Sequence, residues 1–288
     1  MSEYGKLTEI RATDPHAVER AWQTRATRPT VRDDGRLMIV AADHPARGAL
    51  AVGDRPTAMN SRFDLLDRLR AALAVPGVDG VLATPDILDD LALLGALEDK
   101  VVFASMNRGG IAGATFELDD RMTAATAEST AAARMNGGKV LCRIDLDDGG
   151  TVATLAACAR AIDELASRKL VAMVEPFLSR RRDGKLTNDL SPDAVIKSVH
   201  ISQGLGSTSA YTWLKLPVVA EMDRVMEATT MPTLLLGGDP SDADEAFASW
   251  EKALALPSVR GLVVGRTLLY PNDDDVTAAV RSAVAMVR

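Results

Sequence analysis

The chain has 288 residues, of which 47% are hydrophobic, 25% charged and only 4% aromatic, with a formal charge of -7. That is ample apolar material for one large core, and the acidic balance argues against a nucleic-acid partner, which calls for a basic face. No apolar run approaches the roughly 20 residues needed to span a bilayer, so no membrane partner is expected. Along the chain, Thr13-Asp14-Pro15 opens a predicted helix through Arg25, placed to cap the floor of the larger fold. From residue 37 onward, short β-branched or apolar runs alternate with longer amphipathic stretches, the pattern of βα units around a parallel sheet. Strands are predicted at 37–43, 78–84, 100–106, 139–144, 170–175, 211–216, 232–237 and 260–264. Helices are predicted at 61–74, 86–97, 120–135, 151–168, 192–203, 219–229, 242–256 and 274–287. In the first of these, Phe63, Leu66, Leu69 or the stem of Arg70, and Leu73 make one buried stripe. Thr84-Pro85-Asp86, Ser191-Pro192-Asp193 and Asp239-Pro240-Ser241-Asp242 are helix start signals. The stretch LSRRRDGKLTND after the fifth strand reads as a basic loop.

Eight strands, each followed by a helix, give the α/β class and a (β/α)8 TIM barrel over residues 37–288, preceded by an N-terminal helical extension over 1–36. An open doubly wound sheet is the runner-up; the absence of a glycine-rich first turn disfavours it. Nothing in the composition marks a repeat, a linker or a second domain. The opening MSEYGKLTEIRATD lacks a hydrophobic signal core, and Cys142 and Cys158 cannot make a disulfide framework, so the cytoplasm is the expected compartment. Three scattered histidines, His16, His44 and His200, leave little for a metal site, and none is expected.

In a barrel of this kind the working groups come from the C-terminal ends of the strands and the loops that join them to the helices. The polar residues there are Asp43 and His44, Asn107 and Arg108, Arg143 and Asp145, Glu175, Lys215, Gly237-Gly238-Asp239 and Gly265-Arg266. Lys215 interrupts the apolar run YTWLKLPVV, where an ammonium is costly unless it faces a polar cavity. Alternation puts Tyr211, Trp213 and Lys215 on one face. Burial and neighbouring cations free an amine to attack a carbonyl; the other reading is a structural lysine paired with a lumen carboxylate. LLLGGDP and VVGRTLL place two glycine turns and Arg266 where backbone N–H groups and a guanidinium can hold a phosphate, or they are plain turns. Glu175, in VEPF, can shuttle protons or merely pair with Arg143 or Lys215, and Asp43, in AADHP, has the same two readings. His44 reads as a loop histidine, because it points oppositely to Asp43 in an extended strand. Asn107 suits a substrate hydroxyl or a tight turn. Arg180, Arg181 and Arg182 suit a solvated loop or recruitment of a doubly anionic substrate. Cys142 is expected to pack outward.

The acid of AADHP, the VEP of the fifth strand, the lysine of the sixth and the GG and GR turns together resemble the class I, lysine-dependent aldolases of the DeoC/LacD group. That group includes tagatose-bisphosphate and DhnA-type fructose-bisphosphate aldolases, and the resemblance covers about residues 37–287. It implies Lys215 as the Schiff-base lysine and Glu175 as proton shuttle, as in the LacD-like branch. It places Gly237, Gly238, Gly265 and Arg266 on the phosphate turns. Arg143 stands on the fourth strand, where the group often carries lysine or tyrosine, and is assigned a substrate hydroxyl or carboxylate. Trp213 and the NRGG loop are further departures. The chain also resembles actinobacterial barrel proteins taken as aldolases beside inositol-catabolism genes, and for those the implied reaction is cleavage of 2-deoxy-5-keto-gluconate 6-phosphate to dihydroxyacetone phosphate and malonate semialdehyde. The expectation is thus a carbon-carbon lyase without cofactor, a homo-oligomer taking a phosphorylated small molecule, with Lys215, Glu175 and Asp43 catalytic and Arg143 and Asn107 among the substrate contacts. A non-covalent sugar-phosphate isomerase with Glu175 as base, or a non-catalytic phosphosugar sensor, are the rival classes.

Overall fold

Strands buried on both faces read as continuous apolar runs, and the chain supplies eight of them, each with its own helix. The computed structural model describes residues 3–182, 184–237 and 243–288. The strands are β1 (Leu37–Ala41), β2 (Gly80–Ala83), β3 (Val101–Ser105), β4 (Gly137–Ile144), β5 (Val171–Arg182), β6 (Lys185–Asn188), β7 (Thr212–Leu216), β8 (Thr233–Leu236) and β9 (Val259–Val264). All but β6 run parallel in the order β4-β3-β2-β1-β9-β8-β7-β5, and pairing of β4 with β5 closes the ring. This is a (β/α)8 TIM barrel. The helices Arg62–Ala74, Pro85–Leu93, Ala127–Ala132, Gly150–Ser167, Pro192–Gln203, Met222–Met226, Ala243–Leu254 and Val276–Val287 come after the eight barrel strands in turn. None of the described helices is long and apolar enough to cross a membrane.

Alternation along the strands divides the core in two. Leu37, Ile39, Leu82, Phe103, Met173, Leu234 and Val263 point inward and fill the lower lumen, with Val31 and Trp213 packed against them. Their neighbours Met38, Val40, Val102, Val140, Cys142, Val174, Leu214 and Leu216 point outward, under the helices. Cys142 is therefore directed outward, as expected. The apolar plug below leaves only the upper lumen for polar chemistry.

Four expectations are corrected. The basic stretch after the fifth strand is a hairpin: β5 runs on to Arg182 and β6 returns antiparallel from Lys185, with Ser179 opposite Asn188. The helix expected over 120–135 spans only Ala127–Ala132, capped reciprocally by Thr126 and Ser129. The residues before it stay in a loop because Glu117 and Asp120 serve as partners to Arg143 and Arg47. Phe63 is 54% exposed rather than buried; Tyr4 stacks on it at 4.7 Å. The N-terminal extension forms two helices, Glu3–Thr13 and His16–Thr24, and both join the outer ring. The first bonds Arg62–Ala74 through Glu3–Arg70 at 2.7 Å, and in the second Trp22 donates to Asp89 at 2.8 Å.

The floor is closed instead by the segment after these helices. Arg28 pairs with Asp79 at 2.8 Å and Arg288 with the same carboxylate at 2.6 Å. Asp79 also accepts the Met38 backbone N–H at 2.7 Å. Removing a buried carboxylate strands the charges it served. Asp79→Ala should therefore lower the unfolding free energy by about 3–5 kcal/mol in urea titrations, whereas Arg32→Ala, at an exposed ion pair with Asp99, should cost well under about 1 kcal/mol.

Candidate active site

A cavity of about 1040 Å³ opens at the C-terminal ends of the strands. Lys139, Leu141 and Arg143 of β4, Glu175 and Phe177 of β5, and Lys215 of β7 line it, every second residue of each strand. Asp43 and His44 enter from the turn after β1, Arg108 from the loop after β3, Gly237 directly after β8, and Gly265 and Arg266 directly after β9.

At its base lies a buried charge cluster. Glu175 bridges two ammonium groups: Oε2 lies 2.5 Å from Lys139 Nζ and Oε1 lies 3.1 Å from Lys215 Nζ. Lys139 also reaches Asp43 Oδ2 at 3.1 Å. That oxygen accepts from Ser105 Oγ at 2.8 Å and pairs with the Arg108 guanidinium as well. Burial would raise the Asp43 carboxyl, but Arg108, then Lys139 and Lys215, hold it well below the ordinary carboxylate range. Burial acts the same way on Glu175, and Lys139 and Lys215 bring it down to about 2. Burial lowers the Lys139 ammonium, against the pull of Asp43 and Glu175. Both acids are therefore carboxylates across the neutral range.

The structure thus brings Lys215, Glu175 and Asp43 together. Arg143 joins them on the cavity wall, its guanidinium held by Glu117 Oε1 at 2.5 Å. Gly265 and Arg266 come directly after β9, and a Cβ on Gly265 would stand 2.4 Å from the Ala41 carbonyl oxygen, so only glycine lets the turn lie this close to β1. Gly237 lines the same side; Gly238 falls outside the described residues. The Arg266 guanidinium has no hydrogen bond or ion pair with another described residue. Asn107 is not brought to the cavity. Its amide donates to the Leu141 carbonyl at 2.6 Å and accepts from the Leu141 N–H at 2.8 Å, lacing the loop after β3 to β4. Among the described residues no group of three or more His, Cys, Asp or Glu could hold a metal ion.

Lys139 is the residue that sequence reasoning missed. The fourth strand was expected to begin at 139, which makes a lysine there a strand-edge residue. The strand begins at Gly137, because Gly137 and Gly138 pair with Val171 and Ala172 of β5. Lys139 then lies in phase with Arg143, facing the lumen, so the fourth strand does carry an inward lysine. His44 lies in the loop after β1, as expected: β1 ends at Ala41 and a 3-10 turn over Pro45–Arg47 comes after His44. The period of two stops before His44, and its ring lines the cavity.

A model of the Cgl0159-like family matches residues 35–284. The chain belongs to this family. A crystal structure of Cgl0159 from Corynebacterium glutamicum is 57% identical, covers 100% of this chain and 98% of its own, and superposes with a TM-score of 0.97. A Schiff-base-forming fructose-1,6-bisphosphate aldolase is 17% identical over 94% of this chain and 100% of its own, with a TM-score of 0.65. An archaeal fructose-1,6-bisphosphate aldolase, solved with its catalytic lysine bound covalently to a carbinolamine intermediate, is 16% identical over 94% and 99%, with a TM-score of 0.65. At these identities the likeness to the aldolases is one of fold. No curated protein matches the chain.

The cluster makes stability depend on pH with a definite sign. A carboxylate held below its unfolded pKa stabilises the fold above the ordinary carboxylate range and loses that contribution as pH falls through its folded pKa. Lys139→Met removes the cation that Asp43 and Glu175 share. Its cost at neutral pH should be about 3 kcal/mol and should shrink as the pH is taken from about 5 toward 2, read from urea unfolding of both proteins across that window.

Proposed function

We propose that this protein is a class I aldolase that forms a Schiff base between Lys215 and a phosphorylated ketose. The observation that carries the reading is Glu175 bridging Lys139 and Lys215 at the closed base of the cavity. An isomerase base needs a carboxylate but no second and third charged partner. A nucleophilic amine, by contrast, needs an acceptor for its proton within hydrogen-bond reach. The resemblance to the DeoC/LacD group and the barrel shared with Schiff-base aldolases support the same reading.

Glu175 takes a proton from Lys215, and the neutral amine adds to the ketone carbon. The carbonyl oxygen leaves as water once protonated, giving an iminium. Glu175, which has given its first proton to the departing carbonyl oxygen, takes the proton from the hydroxyl one carbon beyond the adjacent carbon, and the C–C bond breaks. The electron pair flows to the iminium and leaves an enamine, and the aldehyde departs. Glu175 returns a proton to the enamine carbon, and water hydrolyses the iminium to restore Lys215. Asp43 assists from the far side, since its Oδ2 is committed to Ser105, Lys139 and Arg108 while Oδ1 makes no such bond among the described residues. Lys139 keeps both carboxylates ionised. The phosphate is held at Gly237, Gly265 and Arg266, fixing the ketone against Lys215. Arg143 takes a hydroxyl or carboxylate at the other end, which suits 2-deoxy-5-keto-gluconate 6-phosphate, cleaved to dihydroxyacetone phosphate and malonate semialdehyde.

Borohydride reduction with dihydroxyacetone phosphate, followed by peptide mass mapping, should label Lys215, and Lys215→Met should abolish both labelling and cleavage. Label on Lys139 instead would reverse the roles of the two lysines; no label with full turnover would end the Schiff-base reading. Arg266→Ala should weaken apparent affinity for a phosphorylated ketose by about 2–4 kcal/mol, with Arg266→Lys restoring only part because an ammonium cannot reproduce the planar fork. The unphosphorylated ketose is the comparison: equal losses on both would give Arg266 a structural role.

A further inference from the structure

His44 stands between the two halves of the site. On one side its Nδ1 lies 3.9 Å from Asp43 Oδ1, too far for a hydrogen bond. That nitrogen is buried with no hydrogen-bond partner among the described residues. On the other side lies Arg266: β9, which ends just before it, pairs directly with β1, and Gly265 lies against the Ala41 carbonyl. His44 lines the same cavity as Gly237, Gly265 and Arg266, and its side chain is 30% exposed although Nδ1 itself is buried. With Nδ1 buried, a ligand in the cavity can meet the imidazole only through the rest of the ring.

A neutral imidazole keeps one N–H to donate. Burial pushes the ring down, Asp43 opposes it, and Arg266 and Lys215 add to the fall, which ends at about 3. His44 thus sits neutral chiefly because it is buried, and after Asp43 its strongest charged neighbour is Arg266, whose guanidinium makes no hydrogen bond or ion pair with another described residue. The adjoining 3-10 turn fixes the ring: the His44 carbonyl accepts the Arg47 N–H at 3.0 Å, and Arg47 is anchored to Asp120.

We propose that His44 is a direct ligand of the substrate phosphate, donating from its ring into the cavity and forming the third wall of the corner made by Gly237 and Gly265-Arg266. The inference rests on the proposed phosphate corner and adds a residue that the strand pattern had set aside. It makes His44 a positioning residue at the phosphate end rather than an acid or base at the breaking bond.

The test uses inorganic phosphate on the whole protein. With only three histidines in the chain, imidazole 15N–1H spectra are assignable by difference: His16→Gln and His200→Gln, at exposed positions, identify the remaining ring without touching the cavity. Added phosphate should move the His44 ring signal along a saturable curve. His44→Ala should weaken phosphate binding about tenfold or more, the loss expected for a hydrogen bond to a charged group, and His44→Gln should recover part of it. If phosphate binds with an affinity that depends on Arg266 while the His44 signal stays still, the inference is overturned and the corner stands. If wild-type protein binds no phosphate yet is trapped on Lys215 by dihydroxyacetone phosphate, both the corner and this inference fall and the Schiff base remains.

Discussion

One carboxylate between two ammonium groups sets the terms for the rest of the molecule. Lys139 and Lys215 could not both be buried at the base of the cavity without Glu175, and Glu175 could not be held ionised there without them. The arrangement is possible because β4 and β5 are hydrogen-bonded neighbours in fixed register, with Leu141 opposite Glu175 and Lys139 one inward step below. Asp43 then enters from the opposite wall, bound to Lys139 and Arg108. The charges are set by backbone pairing, so they need no ligand to assemble them.

The loops above are secured in the same way. Arg47 holds Asp120, Arg143 holds Glu117, and Asn107 ties the loop after β3 to the backbone of β4. Polar anchors of this kind cost desolvation but define one geometry, where apolar contacts would tolerate several. The lower lumen has the opposite character. Its apolar plug gives the polar layer a dry floor, which strengthens every charge interaction above it. The floor itself is locked around Asp79.

The barrel was legible because its strands are buried on both faces and each is followed by an amphipathic helix; all eight fell where the apolar runs lie. Lys215 and Glu175 were legible for a related reason, since a charge inside such a run needs an explanation. Lys139 obeys the same rule but was hidden by the glycines before it. Gly137 and Gly138 look like a turn, yet they belong to the strand because a Cβ on Gly137 would fall 2.1 Å from the Val171 carbonyl oxygen. His44 does lie in a loop as expected, but alternation is not the reason, since the backbone leaves the strand at Ala41. Asn107 had the right polarity for a substrate contact, but its partner is the main chain, and no local pattern reveals a tertiary hydrogen bond of that kind. The hairpin of β5 and β6 was concealed by charge: Arg180, Arg181 and Arg182 are poor strand formers on any pattern argument, and backbone pairing overrides them.

The closure of the ring has a bearing on how the molecule reaches its native state. Asp43 and Lys139 are 96 residues apart in the chain, and β1 finds β9 across most of the chain's length. Contacts so distant in sequence form late, after the entropy of closing long loops has been met. Until then each member of the charge cluster stays hydrated and inert. Half of the barrel would therefore carry half of the ions with none of their mutual stabilisation. The charge cluster and the closed ring thus require each other.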